Sequence, residues 1–488
     1  MLVPNDGVNR IMNTRNFISL LVALAHLSFA AVATGKTLYV NGSTGSDSVT
    51  YANNSATAPW RTLGRAVWGS AQRGTPNSSE AARAGDTVIV AAGVYETSAA
   101  TNERYLPIYN PINSGTSGNP IVIRAERQGA TELRSSQSSG RQPIIGTWEK
   151  SHIVWDGFYL DESRIPTEGD TGPVTVWYST DITIQNLTIR GYNYGWRDNH
   201  NGIRLEGVDR IVVRNNDISG YWEEQNNSMN ASGITLYDAR QVLIENNQVD
   251  TANCGIYIKA GIVGPITVRN NLVRNTMNGM IFGRIGTSEA SNGLQAYNNI
   301  ILNSRSGFVF VGYDTISPAN VSVVNNTVLS VAEAEGGAVL FRPGYDGYRN
   351  LRVFNNILGR SANGVTIWEN RLEQVTSEYN VFFNNEYAAS VAYSRYSLDN
   401  WRSRFGKDTL GSVSVDPRFV SESTGNYRLA SDSPVRTAGR DILDLNRNGS
   451  TTDSIAIGAY ALGNEVIGLT STASTVTRPN PPESVTAD

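Results

Sequence analysis

The stretch ITVRNNLV, residues 266–273, alternates apolar and polar side chains, meets an Asn doublet and then resumes with apolar residues. Alternation at a period of two marks a short, half-buried strand. The same pattern returns as ITIQNLTI (182–189), IVVRNNDI (211–218), VLIENNQV (242–249), LQAYNNII (294–301), VSVVNNTV (321–328) and LRVFNNIL (351–358). The aligned asparagines are Asn186, Asn215, Asn246, Asn270, Asn298, Asn325 and Asn355, spaced by 29, 31, 24, 28, 27 and 30 residues. A second series, each opening on glycine, accompanies them: GIRLEG, GITLYD, GIYIKA, GMIFGR, GFVFVG, GAVLFR and GVTIWE.

Self-similarity at this spacing means stacked units, each burying its apolar face on the next. Two or three short strands per unit, with loops of variable length, predict an all-β right-handed parallel β-helix. Equivalent asparagines would stack into an amide ladder at one corner. Leucine-rich repeats and propellers fit worse, because the period varies and neither a helix nor a W-D signature recurs. The run PWRTLGRAVWGSAQ (59–72) is expected to form an amphipathic helix that plugs the N-terminal coil, whose open edges would otherwise pair with other chains. SLDNWRSRFG is expected to form a short helix near the other end.

Composition bounds the rest. The net charge of −4 gives no argument for nucleic acid or an anionic membrane surface. The single cysteine, Cys254, excludes an intramolecular disulfide and a cysteine-based metal cluster, and its place at a coil corner reads as packing. Arg15, the apolar run FISLLVALAHLSFAAVA and the small residues around Ala33 read as an export signal over residues 1–33. The helix domain is then expected over residues 34–462. Residues 463–488, rich in Ser, Thr and Pro, read as a linker into a further domain. The expectation is a secreted monomer, extracellular or periplasmic.

The segments LYVNGSTGSD, APWRTLGRAV, AGDTVIVAAGVYE and SGTSGNPIVIRAE resemble the start of secreted bacterial β-helix proteins of the pectate-lyase-like superfamily. SLDNWRSRFGKD, VDPRF, YRLASDSPVRTAG and IGAYA resemble their usual ending. The resemblance spans roughly residues 37–462 and carries the fold. The superfamily holds polysaccharide lyases, uronate epimerases, glycosidases and adhesins, so activity must be argued from the site.

On a β-helix, outward residues of successive coils lie side by side. Counting from each glycine of the second series, the second and fourth residues point outward if the first and third are core. This aligns Arg204 and Glu206, Thr235 and Tyr237, Tyr257 and Lys259, then Ile281 and Gly283, with Asp238 and Arg284 one step later. Four coils span about 15 Å at the sheet spacing. Lys259 is conspicuous because the chain has only four lysines among its 40 basic residues. A lysine in such a face either abstracts a proton, if burial outweighs the neighbouring carboxylates, or sits in a stabilising ion pair with Glu206 and Asp238.

Proton abstraction is what β-elimination of a uronate-containing polysaccharide requires. The carboxylate must be neutralised, the C5 hydrogen removed and the leaving oxygen protonated. The resemblance implies Lys259 as base, Arg284 as carboxylate or leaving-group partner, and Tyr257 or Tyr237 as proton donor. It also implies Ca²⁺, for which Glu206, Asp238 and Asp198 are the candidate ligands. The stretch NASGITLYD lacks the paired aspartates of pectate lyases with a lysine base, and TANC lacks the paired glutamates of the chondroitinase and alginate lyase group. YNYGWRDNHNGIRLEG (192–207) loosely resembles a segment of alginate C5-epimerases and nominates His200 as a base. Arg204, Tyr237, Trp196, Trp222, Tyr194 and Trp177 are the candidate sugar contacts, since aromatic faces stack on C–H faces. The leading expectation is a lyase acting on an acidic polysaccharide. A C5-epimerase, a glycosidase using Glu206 with Asp238 or Asp198, and a non-catalytic adhesin remain open beside it.

Overall fold

The computed structural model describes residues 35–469, apart from 102, 104, 137–141, 165–170, 193–198, 224–229, 263, 284–292, 312–318, 332–335, 343–348 and 369–371. The expected export signal and residues 470–488 of the expected linker lie outside the described residues.

Among the described residues one sheet of 29 strands winds through successive coils, its inter-coil pairings parallel. Ile203 pairs with Ile234, Ile234 with Ile256, Ile256 with Met280 and Met280 with Phe308. Leu205, Leu236, Ile258 and Phe282 form a second inward column, and both columns are fully buried. A β-branched or aromatic side chain therefore lands on its counterpart one coil away, and the apolar core runs the length of the molecule.

The corner asparagines divide their work between two columns. The ladder forms in the second position of each doublet: Asn216, Asn247, Asn271, Asn299, Asn326, Asn356 and Asn380, all fully buried. Each side-chain oxygen accepts the backbone N–H of the preceding ladder residue at 2.9–3.0 Å, as Asn299 does for Asn271. The amide nitrogen then donates to a carbonyl one coil back, as Asn299 does to Val268 at 2.9 Å. The first position, where the aligned series placed the ladder, instead takes the left-handed turn: φ lies between 53° and 57° from Asn186 to Asn355. Asparagine is among the few side chains that tolerate that region. Several first-position amides bond elsewhere: Asn325 donates to Ala456 at 2.8 Å, Asn298 to Glu465 at 3.1 Å, and Asn246 to Val466 at 2.5 Å. Residues 463–468, expected to open a linker, thus lie along the asparagine corner, where Gly468 N–H also donates to Asn270.

Both ends are closed. The N-terminal helix is shorter than expected, Leu63–Trp68, and all six of its residues are buried. Leu63, Ala66 and Val67 pack into the core with Leu38 and Val88. At the other end, the helix Leu398–Phe405 presents Trp401, fully buried, whose indole N–H donates to Asp408 at 2.9 Å. Asp408 also accepts from Asn380, and Ser412 accepts the Asn380 N–H, so this polar group terminates the ladder.

Removing one rung leaves a buried N–H and a buried carbonyl without partners, each at roughly 1–3 kcal/mol. Asn299→Ala is therefore expected to lower stability by about 2–5 kcal/mol, read in denaturant or thermal unfolding. Asn275→Ala, at an exposed left-handed corner, should cost only about 1–2 kcal/mol, through its backbone and the loss of an exposed hydrogen bond to Asp250. Equal losses in the two variants would remove the ladder's special role.

Candidate functional site

The strands Asn201–Arg214, Ser232–Glu245 and Gln248–Ala260 carry the candidate face. Arg204 aligns with Thr235, Thr235 with Tyr257 and Tyr257 with Ile281, while Glu206 aligns with Trp177 and Tyr237. The outward positions read from the glycine series are the ones the pairing produces.

Lys259 departs from that regular pattern. Leu236 pairs with Ile258, but Tyr237 pairs with Ala260, so Lys259 is the extra residue of a β-bulge. A bulge bends its strand and re-aims the inserted side chain. The next coil follows closely, with Gly283 N–H donating to Ile258 O at 2.8 Å. A Cβ at Gly283 would come within 2.7 Å of the Lys259 carbonyl, so glycine is what permits this approach. The partly buried Lys259 Nζ donates to Asn230 Oδ1 at 2.6 Å and to Asn199 Oδ1 at 3.2 Å. It also stands 5.0 Å from the ring centre of Tyr237, whose hydroxyl donates to the same Asn199 oxygen at 3.2 Å.

Arg204 is only 6% exposed. Its guanidinium grips Glu206 Oε2 through two nitrogens, at 2.7 and 3.1 Å, and lies 4.6 Å from the Tyr237 ring centre. Tyr237 thus has both cations against its ring, an arrangement that favours negative charge nearby. Burial is the main cause that raises the Glu206 pKa above its ordinary value, with Asp238 adding to it; Arg204 and Lys259 oppose the shift without cancelling it. Asp238 is exposed at a left-handed corner within its strand, and a Cβ on Gly261 would collide with its carboxylate oxygen.

Among the described residues the oxygen set falls short of what Ca²⁺ takes, six to eight oxygen ligands. Glu206 is committed to Arg204, Asp198 lies outside the described residues, and among the described residues no three acidic, His or Cys side chains converge. No chemical step is therefore derived through the ion.

The other candidates separate. His200 is buried, its Nε2 lying 2.9 and 2.8 Å from the two oxygens of Glu162, which is fully buried, and its ring meets Tyr221 edge-on. In this position it braces the turn that carries Asn199. Tyr257 points outward but is fully buried in an apolar cluster with Ile281, Val309 and Leu340, which removes it from the open groove where a proton donor would act. Trp177 is 7% exposed, stacked on Tyr105 at 4.3 Å and on Trp148 at 5.7 Å, so its ring supports the groove wall and Tyr178 carries the exposed surface there. Trp222 lies at a different corner, against Thr251, Asn275 and Arg305. Arg284, Tyr194, Trp196 and Asp198 lie outside the described residues. The periodicity missed Asn199, Asn230, Tyr105 and Glu162, which sit in loops of irregular length; only the Asn preceding the strand glycines offered a signal.

The raised Glu206 pKa has a stability consequence. A folded-state pKa above the unfolded value gives stability that is present below about pH 4.5 and is lost as pH rises through the folded pKa. Glu206→Gln removes that pH dependence and also leaves the buried Arg204 without its carboxylate. The variant should be less stable than the parent throughout, and the gap should narrow as pH rises from about 4.5. Melting temperatures across that range check the slope; a gap that widened with pH would contradict the raised pKa.

No protein-family model matches the chain, and no curated protein matches it in sequence. Solved structures do match. A crystallised pectate lyase superposes with a TM-score of 0.56 at 14% identity, covering 88% of this chain and 97% of its own. A rhamnogalacturonan lyase gives 0.48 at 13% identity over 79% and 91%. The A-module of a mannuronan C-5 epimerase from Azotobacter vinelandii gives 0.47 at 17% over 68% and 92%. The chain has a right-handed parallel β-helix fold, the fold it shares with that pectate lyase.

Proposed function

We propose that the protein is a polysaccharide lyase that cleaves a uronate-containing chain by β-elimination, with Lys259 as the base. The observation that carries this reading is the bulge. It lifts the lysine out of the regular ladder, beside a tyrosine ring that Arg204 also flanks.

In this reading a uronate lies across the coils that hold Arg204, Tyr237 and Lys259. Lys259 Nζ, neutral when it acts, takes the C5 hydrogen as a proton. The C5–H electron pair forms the C4–C5 double bond, the C4–O bond breaks, and its electrons leave on the glycosidic oxygen. That oxygen takes a proton from the Tyr237 hydroxyl, which Asn199 orients. Charge building on the uronate carboxylate is met by Arg204, which shares its guanidinium between Glu206 and the substrate. Such a neutralising cation is worth most in a partly buried site. Asn199 and Asn230 fix the amine where the hydrogen would lie.

A second reading has one observation in its favour. The raised Glu206 pKa, with Asp238 contributing to it, is what a glycosidase acid needs. The two readings differ in product, since elimination makes a conjugated unsaturated uronate and hydrolysis does not.

The test is ultraviolet absorbance of the unsaturated product during incubation with pectate, alginate, glucuronan and glycosaminoglycans. Absorbance should rise on one of them. Lys259→Ala should lower kcat by about a thousandfold with KM little changed, and Tyr237→Phe by about a hundredfold. New reducing ends without absorbance, lost in Glu206→Gln and kept in Lys259→Ala, would replace the lyase by a glycosidase.

A further inference from the structure

A cleft of about 400 Å³ opens on the corner where the third strand of a coil turns into the groove strand. Its rim carries Trp222, Thr251, Asn275, Asn303 and Arg305, and its floor is the buried pair Thr276 and Ser304, whose hydroxyls are 2.8 Å apart. Lys259 lies eight residues beyond Thr251 in the strand Gln248–Ala260, on the order of 20 Å along the chain. The cleft is therefore separate from the candidate catalytic face.

Three features fit it to a ligand. The backbone that carries Trp222 is tied down at the next residue, Glu223, which exchanges two hydrogen bonds with the Asn253 side chain: its N–H donates at 2.8 Å and its carbonyl accepts at 2.9 Å. Arg305 is exposed, lies 5.7 Å from the Trp222 ring centre, and among the described residues has no carboxylate partner. Arg274, in the preceding coil, is by contrast locked on Asp250 at 2.6 Å. Thr251 holds φ at +58°, where its column neighbours Asn275 and Asn303 show 56° and 52°. A β-branched residue in that region is strained, and strain of this kind gathers at binding sites.

We infer that this corner cleft is a second, non-catalytic binding site for an acidic sugar unit of the polysaccharide. The choice of polymer rests on the proposed function; the cleft's chemistry does not. Trp222 offers its face to the C–H surface of the ring, Arg305 meets the carboxylate, and the exposed Asn303 amide reaches a hydroxyl, while Asn275 stays bonded to Asp250. Its volume suits one or two sugar rings. A chain anchored at this corner would keep the groove near further cleavage points by raising their effective concentration.

Affinity electrophoresis of the Lys259→Ala protein tests this, in gels containing polygalacturonate, alginate or a neutral galactan. One acidic polymer should retard it, and adding Arg305→Ala or Trp222→Ala should weaken that retardation about tenfold. Arg305→Ala in the otherwise unaltered protein should leave turnover of a short oligouronide unchanged. Retardation that ignores both substitutions, equal retardation by the neutral polymer, or none by either acidic polymer would overturn the site. So would loss of oligouronide turnover in Arg305→Ala, which would make the cleft part of the groove. Arg305-dependent retardation without any unsaturated product would sink the lyase reading and leave this site standing.

Discussion

Register between coils is the constraint on which everything else in this molecule depends. The candidate site has no single element of its own: Arg204, Tyr237 and Lys259 come from three successive coils and meet only because each coil stops at the same angular position. In a parallel sheet, slipping one residue would turn every outward side chain inward. The buried ladder from Asn216 to Asn380 opposes that slip, because each rung bonds both the turn before it and a carbonyl one coil away. The amides tie the corner and the apolar columns fill the interior, so neither does the other's work.

Against that regular background the bulge at Lys259 is the one register shift among the described residues of the groove face. It has a structural cost, since it interrupts the ladder and demands glycine at 283 in the next coil. A solvent-facing lysine in a stabilising ion pair would need neither. Around the amine lie two amide oxygens and the rings of Tyr237 and Tyr257, while Arg204 takes the nearby Glu206.

Much of the fold was legible because its signals are local and repeat. Alternation separated inward from outward residues, and the glycine series aligned Arg204, Thr235, Tyr257 and Ile281 without any knowledge of loop paths. What stayed hidden depends on groups distant in sequence or on one-residue irregularities. Both members of an Asn doublet look alike as letters, yet one turns the backbone and the other builds the ladder. A bulge leaves no trace in a strand of apolar residues such as GIYIKAG. His200 pairs with Glu162, 38 residues earlier, across a loop of arbitrary length. Tyr257 and Tyr237 occupy comparable outward positions, and only packing makes one an apolar wall and the other a groove residue.

The same packing limits where chemistry can occur along the groove. From Tyr257 onward the outward column is Ile281, Val309 and Leu340, buried and apolar, with nothing to hold or move a proton. Before Arg204 the face is Thr175 with Trp148 and Trp177, aromatic and weakly polar. Among the described residues the ionisable groups of this face gather in the coils of Arg204, Tyr237 and Lys259, a span of about 10 Å at the sheet spacing, and the next described one is Arg342, beside Trp368. That is the length of about two sugar units, so in the proposed reading one glycosidic bond would lie over the charged groups, with Trp148 and Trp177 toward one end. Arg204, buried between these apolar and aromatic coils, acts through a lower dielectric than it would on an open sheet.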